Sequence, residues 1–219
     1  MRRTHVYGAA MVLACLLTAS APATAGAKLP DPSLDDSPGT SKGSTTVVLA
    51  GGCFWGIEEV FQHVRGVVDA VSGYSGGSAK TANYERVSTG TSGHAESVKV
   101  TYDSSKVTLG QLLKVFFSVA HDPTLLNRQG PDVGTQYRSA IFVSNERQQQ
   151  VVKSYIDQLN AAHVFAKPIV TQVVPLNGFY AAEEEHQDFA RKNPFYPYIV
   201  INDKPKVEAL KREFPALYR

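Results

Sequence analysis

Cysteine is scarce in this sequence. Among 219 residues there are two cysteines, Cys15 and Cys53, and Cys15 lies in an N-terminal stretch that we expect to be removed or modified. A mature chain with one thiol cannot form an internal disulfide, which excludes a scaffold held together by disulfide bonds. An unpaired cysteine in an oxidising compartment is a candidate reactive group.

Strong net charge and long apolar runs are also missing. The formal charge is +2, and it falls to zero when Arg2 and Arg3 leave with the N-terminal leader. Charge therefore gives no reason to expect binding to nucleic acid or to an anionic membrane surface. The apolar run from Ala9 to Leu17 is too short to span a bilayer, so we expect no membrane span.

Motifs for metals and nucleotides are incomplete. His94-Ala95-Glu96 has the H-x-E form of a zinc deaminase, but the C-x-x-C that such a site needs is absent. Glu183 and His186 have E-x-x-H spacing without the second copy that a di-iron bundle requires. Gly76-Gly77-Ser78 lacks a Walker lysine. No metal or nucleotide site emerges, and we interpret His186 as an interior histidine with satisfied hydrogen bonds.

The N-terminus has the order of a secretory signal peptide. Arg2 and Arg3 precede the apolar run, and an A-x-A pattern ends at Ala25, which predicts a signal peptide over residues 1–25 and an exported, periplasmic or extracellular protein. A lipoprotein anchored at Cys15 is the alternative. Residues 26–44 are rich in Pro, Ser, Gly and Asp and predict a flexible linker. Residues 45–219 then form one domain.

Cys53 follows a strand-like run and two glycines and precedes an amphipathic helical pattern that begins at Ile57. This places its thiol at a helix N-terminus, where unpaired N–H groups favour a thiolate, so Cys53 is a candidate nucleophile. A buried structural cysteine is the alternative. Phe54 and Trp55 beside it are candidates for an apolar substrate pocket.

Strand and helix patterns alternate through the domain. Strands are predicted over residues 67–72, 95–102, 139–143 and 169–174, and a capping box at Thr108-Leu109-Gly110-Gln111 begins a helix that stops at His121. Ser144 is expected to cap the next helix, residues 127–138 to form a loop, and residues 183–192 a short helix. Beyond Asn193 the prolines predict a long, largely irregular C-terminal segment, with a short helix around Val207 to Glu213. The pattern indicates an α/β (α+β) two-layer sandwich.

Several collinear motifs carry a family resemblance. They are Gly52-Cys53-Phe54-Trp55-Gly56, Gly73-Tyr74-Ser75-Gly76-Gly77, Tyr84-Glu85-Arg86-Val87-Ser88-Thr89-Gly90, Gly93-His94-Ala95-Glu96, Asp122-Pro123-Thr124, Asn127-Arg128-Gln129-Gly130, Asp132 and Gln136-Tyr137-Arg138-Ser139. Together they resemble the type A peptide methionine sulfoxide reductases. The resemblance implies a ferredoxin-like core with a mixed sheet, no metal or organic cofactor, and reduction of the S epimer of methionine sulfoxide, free or in proteins.

The same resemblance implies roles for individual residues. Cys53 matches the nucleophile and Glu96 the general acid, while Tyr84 and Tyr137 match the ligands of the sulfoxide oxygen. Three further matches lie in the substrate pocket, namely Phe54, Trp55 and Asp132. A thiolate attacks a sulfoxide sulfur only when the oxygen is protonated or strongly hydrogen-bonded. The reaction therefore needs a carboxylic acid and phenolic hydroxyl groups that face the thiol. We expect burial to raise the pKa of Glu96.

The C-terminal segment lacks the resolving cysteines that many members of this family carry. With Cys53 as the one mature thiol, its sulfenic acid needs an external reductant, either a thioredoxin-like protein or a small thiol. We expect a monomer. Two other functions stay open, a cysteine hydrolase or acyltransferase that pairs Cys53 with His94 or His186, and a non-catalytic binder of methionine-rich segments.

Overall fold

The computed structural model describes residues 28–36 and 43–219. The predicted signal peptide and the remainder of the predicted linker lie outside these residues. The strands are β1 Ser44–Gly51, β2 Val67–Ser75, β3 Ala95–Asp103, β4 Arg128–Gln129, β5 Asp132–Val133, β6 Ser139–Val143, β7 Gln172–Pro175 and β8 Phe179–Ala181. The α-helices are α1 Phe54–Gln62, α2 Tyr84–Ser88, α3 Leu109–Val115, α4 Glu146–Ala161, α5 Phe189–Lys192 and α6 Lys204–Glu213. Within the described part of the chain, no helix is long and apolar enough to cross a membrane.

The main sheet is mixed, with six strands in the order β7-β6-β1-β3-β2-β8. Its four central strands pair antiparallel, and only β6 and β7 are parallel. The path from β1 through α1, β2, β3 and α3 to β6 is the β-α-β-β-α-β unit of a ferredoxin-like fold. The predicted fold class is therefore confirmed, and β7 and β8 extend this unit at its two edges.

The core follows from alternation along the strands. In β1, Val47 and Leu49 lie in the large cluster with the helices, whereas Val48 and Ala50 belong to a smaller cluster on the opposite face of the sheet. All four side chains are fully buried, because β1 is central and both faces of the sheet are covered. The carboxyl end of β1 is thus a rigid support for the residues that follow it.

Helix starts agree partly with the prediction. The capping box is present, since Thr108 accepts from Gln111 N and the Gln111 side chain bonds back to Thr108 N. The helix continues as a π-helical turn, Phe116–Ala120, and ends at His121. The predicted cap at Ser144 is wrong: Asn145 caps α4, because its side-chain oxygen accepts a hydrogen bond from Gln148 N.

The C-terminal third is more ordered than predicted. The expected helix over 183–192 is split into a 3₁₀ turn, Glu184–His186, and α5, because Asp188 adopts a left-handed conformation with φ 56°. A tertiary contact holds Asp188 there, since its backbone N–H donates to Glu58 Oε2 at 3.0 Å. The short helix predicted around Val207 to Glu213 is present as α6. The tail beyond Asn193 differs from the expectation in that a π-helical turn, Ile199–Asp203, runs directly into this helix.

Residues 28–36 pack on the domain, although the sequence predicts a flexible linker there. Leu29 is buried in the main core. Tyr155 donates its hydroxyl to Pro30 O at 2.9 Å, and Lys114 Nζ lies 2.6 Å from Asp31 Oδ1. Gly110 N donates to Asp35 Oδ1 at 2.9 Å. The residues whose composition suggests a linker therefore form hydrogen bonds and an ion pair with α3 and α4.

We expect Leu29→Ala to lower the free energy of unfolding by about 2–3 kcal/mol, because it removes a buried side chain from the main core. Ser33→Ala is the matched control, since the Ser33 side chain is exposed and the recorded contact is made by its backbone N–H. Urea unfolding of both variants measures the difference. Equal stabilities for the two variants would show that the segment does not contribute to the fold.

Candidate active site

Cys53 lies where β1 meets α1. It is the N-cap residue of α1 and its side chain is 8% exposed. Gly52 precedes it with φ 102°, a conformation that residues with a Cβ rarely adopt, and a Cβ there would lie 2.7 Å from Gln129 Cβ. The glycine therefore allows the chain to turn from the sheet into the helix while Gln129 covers it. Gln129 belongs to β4, which pairs with β5 in a stretch that the sequence predicts to be a loop throughout.

The ionisation of Cys53 differs from the prediction. Burial, the Glu96 carboxyl and the Asp203 carboxyl raise the pKa of the thiol well above its ordinary value. A hydrogen bond from the Trp55 backbone amide and the Lys206 ammonium lower this pKa, but by less. The helix N-terminus does favour the thiolate, as the sequence suggests, yet two carboxyl groups and desolvation outweigh it. Burial and the two carboxyl groups thus favour the neutral thiol over the thiolate.

Glu96 lies close enough to Cys53 to affect the pKa of the thiol. It occupies β3 opposite Tyr74 of β2, is 2% exposed, and its Oε2 accepts a hydrogen bond from Phe54 N at 3.1 Å. Burial raises the pKa of Glu96 to about 8, against the lowering effect of the Phe54 hydrogen bond. This agrees with the expectation from the sequence. At neutral pH Glu96 carries a proton that it can donate.

Two phenols share the surroundings of Glu96 and Cys53. Tyr84 begins α2, and Tyr137 ends a 3₁₀ turn, Thr135–Tyr137, that leads into β6. Burial raises the pKa of each phenol, and the charges of Glu96, Cys53 and Asp132 raise it further. Both hydroxyls therefore remain protonated and can donate hydrogen bonds. The structure brings the predicted catalytic residues together from four separate elements.

Asp132 has a partner that sequence reasoning missed. Tyr198 donates its hydroxyl to Asp132 Oδ2, and the Tyr198 ring meets the Trp55 ring edge-on at 5.9 Å. Burial raises the pKa of Tyr198, with Cys53 the next largest cause, which places this phenol near the thiol as well. In the sequence Tyr198 lies in a proline-rich tail without a motif, so no local signal marked it.

An aromatic wall stands beside Cys53. Phe54 is buried, and Trp55 is half-buried and stacks on Phe189 with 3.9 Å between ring centroids. His186 lies 5.4 Å from the Phe54 ring and 5.9 Å from the Trp55 ring. His186 is buried as expected, but its Nδ1 has no hydrogen-bond partner among the described residues, so the interpretation of a fully satisfied histidine is wrong. These rings form an apolar wall of the kind that a methyl group would fit.

Asp203 is a second residue that the sequence did not reveal. Its carboxyl is fully buried against Gly56, where a Cβ would lie 2.0 Å from Asp203 Oδ1. Lys206 Nζ pairs with that oxygen at 3.0 Å. The requirement for glycine at position 56 therefore comes from a carboxyl placed under the start of α1 by the C-terminal helix. The glycine was visible in the sequence, but the residue that requires it was not.

The alternative partners for Cys53 are engaged elsewhere. His94 lies with Nε2 2.9 Å from Ser78 O and accepts from Gly77 N at Nδ1, so its ring supports a loop. No hydrogen bond joins His186 to Cys53 within residues 43–219. In the same part of the chain, no group of three His, Cys, Asp or Glu residues is arranged to hold a metal ion.

Comparison with known proteins agrees with this arrangement. The family described as Peptide methionine sulfoxide reductase matches residues 45–217. The "Peptide methionine sulfoxide reductase MsrA 2" of Mesorhizobium japonicum is 62% identical over 176 residues, which cover 80% of this chain and 90% of the relative. A protein of the same name from Synechocystis sp. is 50% identical over 188 residues, 85% of this chain and 88% of the relative.

Solved structures show the same fold. Methionine sulfoxide reductase A of Corynebacterium diphtheriae is 37% identical with a TM-score of 0.60, over 73% of this chain and 80% of that one. Mxr1 from Saccharomyces cerevisiae in reduced form is 34% identical with a TM-score of 0.63, over 70% of this chain and 87% of that one. The family match, the relatives and the shared architecture lead to one conclusion: this chain belongs to the peptide methionine sulfoxide reductases, in their type A (MsrA) group.

Proposed function

We propose that this reductase uses Cys53 to take the oxygen atom from the S epimer of methionine sulfoxide, free or in proteins, and so repairs oxidised proteins. The observation that carries the proposal is the position of Glu96. Its carboxyl is protonated at neutral pH and is held beside Cys53 by the Phe54 amide. A thiol and a carboxylic acid near each other supply both the nucleophile and the proton that sulfoxide reduction needs.

The first half-reaction is a transfer of one oxygen. Glu96 donates its proton to the sulfoxide oxygen while the Cys53 thiol gives its proton to the carboxylate, and the sulfur of Cys53 attacks the activated sulfoxide. Tyr84 and Tyr137 donate hydrogen bonds to the oxygen as charge develops on it. The S–O bond of the substrate breaks, an S–O bond forms at Cys53, and the products are methionine and Cys53 sulfenic acid. The proton from Glu96 ends on the transferred oxygen, and the thiol proton leaves Glu96 protonated again.

The substrate wall accounts for selectivity. Phe54 and Trp55 take the methyl group of the sulfoxide against their rings, and Asp132, fixed by the Tyr198 hydroxyl, closes the opposite side. A chiral sulfur that must present its oxygen to Glu96 and its methyl group to the wall has one acceptable configuration. This geometry supports reduction of one epimer only.

The second half-reaction needs thiols from outside, because Cys53 is the one cysteine in residues 43–219. A first external thiol attacks the sulfur of the sulfenic acid and forms a mixed disulfide with Cys53. The hydroxyl group leaves as water with the proton of that thiol. A second thiol then releases Cys53 and leaves an oxidised disulfide product. We propose a thioredoxin-like protein or a small thiol as the donor. We also propose that the enzyme is exported after removal of residues 1–25, and that it draws on a thiol donor of that compartment.

A single-turnover experiment tests the proposal. The protein is mixed with each separated epimer of a methionine sulfoxide peptide and no reductant, and we expect about one methionine per protein from the S epimer alone. Mass spectrometry should show one added oxygen on the peptide that contains Cys53.

Two outcomes would contradict it. Thioester formation on an activated ester, with no methionine from either epimer, would support a cysteine hydrolase. Binding of oxidised peptides without product would support a non-catalytic binder.

A further inference from the structure

Tyr84 has little support from its own helix. α2 has five residues, of which only Val87 is buried, and Tyr84 itself is 39% exposed. A helix of this length is not stable by itself in water. The position of the Tyr84 phenol therefore depends on contacts from another part of the chain.

Gln136 Nε2 donates to Ser88 O at the end of α2, and two contacts to Tyr84 itself come from one turn, Glu183 to His186. Glu183 Oε1 accepts a hydrogen bond from the Tyr84 backbone N–H at 2.9 Å. The His186 ring packs on the Tyr84 ring with 4.3 Å between centroids. The turn thus holds both the backbone and the side chain of Tyr84. We refer to Glu183 and His186 together as the brace.

The brace also reaches the aromatic wall beside the thiol. Glu183 Oε2 accepts from the Tyr74 hydroxyl at 2.7 Å, and the buried Tyr74 ring lies 5.9 Å from the Phe54 ring. His186 lies 5.4 Å from Phe54 on the same side. One carboxylate therefore ties the Tyr84 backbone to a residue that packs directly on the neighbour of Cys53.

The ionisation states of Glu183 and His186 suit a role in holding Tyr84. Burial opposes ionisation of Glu183, but the hydrogen bonds from the Tyr84 amide and the Tyr74 hydroxyl lower its pKa overall, so it is an anion. Hydrogen bonds to an ionised acceptor are stronger than those between neutral groups. Burial lowers the pKa of His186, which keeps its ring neutral among the aromatic side chains.

We propose that Glu183 is a positioning residue for the reduction: through the brace it fixes the Tyr84 phenol relative to Cys53 and the Phe54 wall, where the sulfoxide oxygen is bound. The inference rests on the role of Tyr84 in the proposed function. It assigns no contact with substrate to Glu183, which acts through Tyr84.

A double-mutant cycle tests the proposal. We expect Glu183→Ala to lower kcat for an S-sulfoxide peptide about tenfold with little change in KM, because a displaced hydrogen-bond donor loses its effect mainly in the transition state. In a Tyr84→Phe background, Glu183→Ala should lower kcat by less than about twofold, since no hydroxyl remains to be positioned. Glu183→Gln keeps an acceptor oxygen for the Tyr84 amide and should recover most of the rate.

The control is Glu185→Ala, which changes an exposed glutamate on the same turn and should leave kcat unaltered. Hydrogen exchange gives a second readout. The Tyr84 amide should exchange faster in Glu183→Ala, while the Phe54 amide, which donates to Glu96, should not.

If Glu183→Ala lowers kcat by the same factor in the wild-type and Tyr84→Phe backgrounds, the inference is overturned and the proposed function stays intact. An unchanged exchange rate of the Tyr84 amide in Glu183→Ala would have the same meaning. Wild-type kcat in Tyr84→Phe would instead remove the role of Tyr84 itself, and this inference with it. Absence of methionine from the wild-type protein in single turnover would reject the proposed function as a whole.

Discussion

Replacement of Cys53 by serine is expected to reduce methionine formation at least about a thousandfold. A serine oxygen in this buried position cannot accept the sulfoxide oxygen and be returned to its starting state by thiols. The two carboxyl groups that raise the pKa of the Cys53 thiol also oppose an alkoxide at the same point. The measurement is release of methionine from an S-sulfoxide peptide with excess dithiothreitol.

The sequence offers a matched control. Cys15→Ser removes the other cysteine and should reduce the sulfoxide at the wild-type rate, because Cys15 lies in the segment that we expect to be cleaved or lipidated. Methionine release by Cys53→Ser at the wild-type rate would place the reacting group elsewhere. Loss of activity in both variants would show that Cys15 takes part in the chemistry.

Glu96→Gln is expected to lower kcat by about 10²–10⁴-fold, the usual effect of removing a general acid. The pKa of Glu96 is raised to about 8, so the acid form is present below that pH and is lost as the pH rises through it. The wild-type rate should accordingly decline above about pH 8, and this decline should be absent from the residual activity of Glu96→Gln. A pH profile of kcat/KM for both proteins measures the effect. An alkaline decline that persists in the variant would assign it to another group.

The same substitution should stabilise the fold. A carboxyl with a pKa of about 8 when folded and 4.5 when unfolded makes the wild-type protein lose stability as the pH rises from 4.5 to 8, because only the unfolded state ionises in that window. Glu96→Gln should exceed the wild type by about 3 kcal/mol at pH 7 and by little at pH 4. Urea unfolding at both pH values measures this. Glu85→Gln, at an exposed position on α2, is the control. A stability difference between Glu96→Gln and the wild type that does not change with pH would contradict the raised pKa of Glu96.

The sequence predicted the residues that gather around Cys53 better than it predicted their electrostatics. Gly52 and the apolar stripe after Cys53 are local signals, so the strand, the turn and the helix N-terminus could be derived from them. The pKa of the thiol depends on burial and on Glu96 and Asp203, which are distant in the chain. A local argument could weigh the helix dipole but not two carboxyl groups brought in by other elements.

The errors in the fold have a similar origin. Residues 28–36 have the composition of a linker, and their order depends on Leu29 entering a core formed by helices much later in the sequence. The split of the helix predicted over 183–192 depends on Asp188 donating to Glu58, again a contact between distant residues. The roles of Glu96, Tyr84 and Tyr137 came from their motifs, and their chemistry stays a prediction until the variants are measured.

The C-terminal segment has a consequence for how the enzyme is made. Tyr198 and Asp203 approach the start of α1, and Tyr218 forms a β-bridge with Val64 just beyond the end of that helix. A nascent chain can pair its central strands as soon as β6 has been synthesised, yet it still lacks the residues that enclose Cys53. We therefore expect the thiol to be more open to solvent and to oxidants until Tyr198 and Asp203 fold onto α1. Chaperones or reductants that protect the Cys53 sulfur during synthesis would act on an enzyme whose fold is largely complete and whose active site is not.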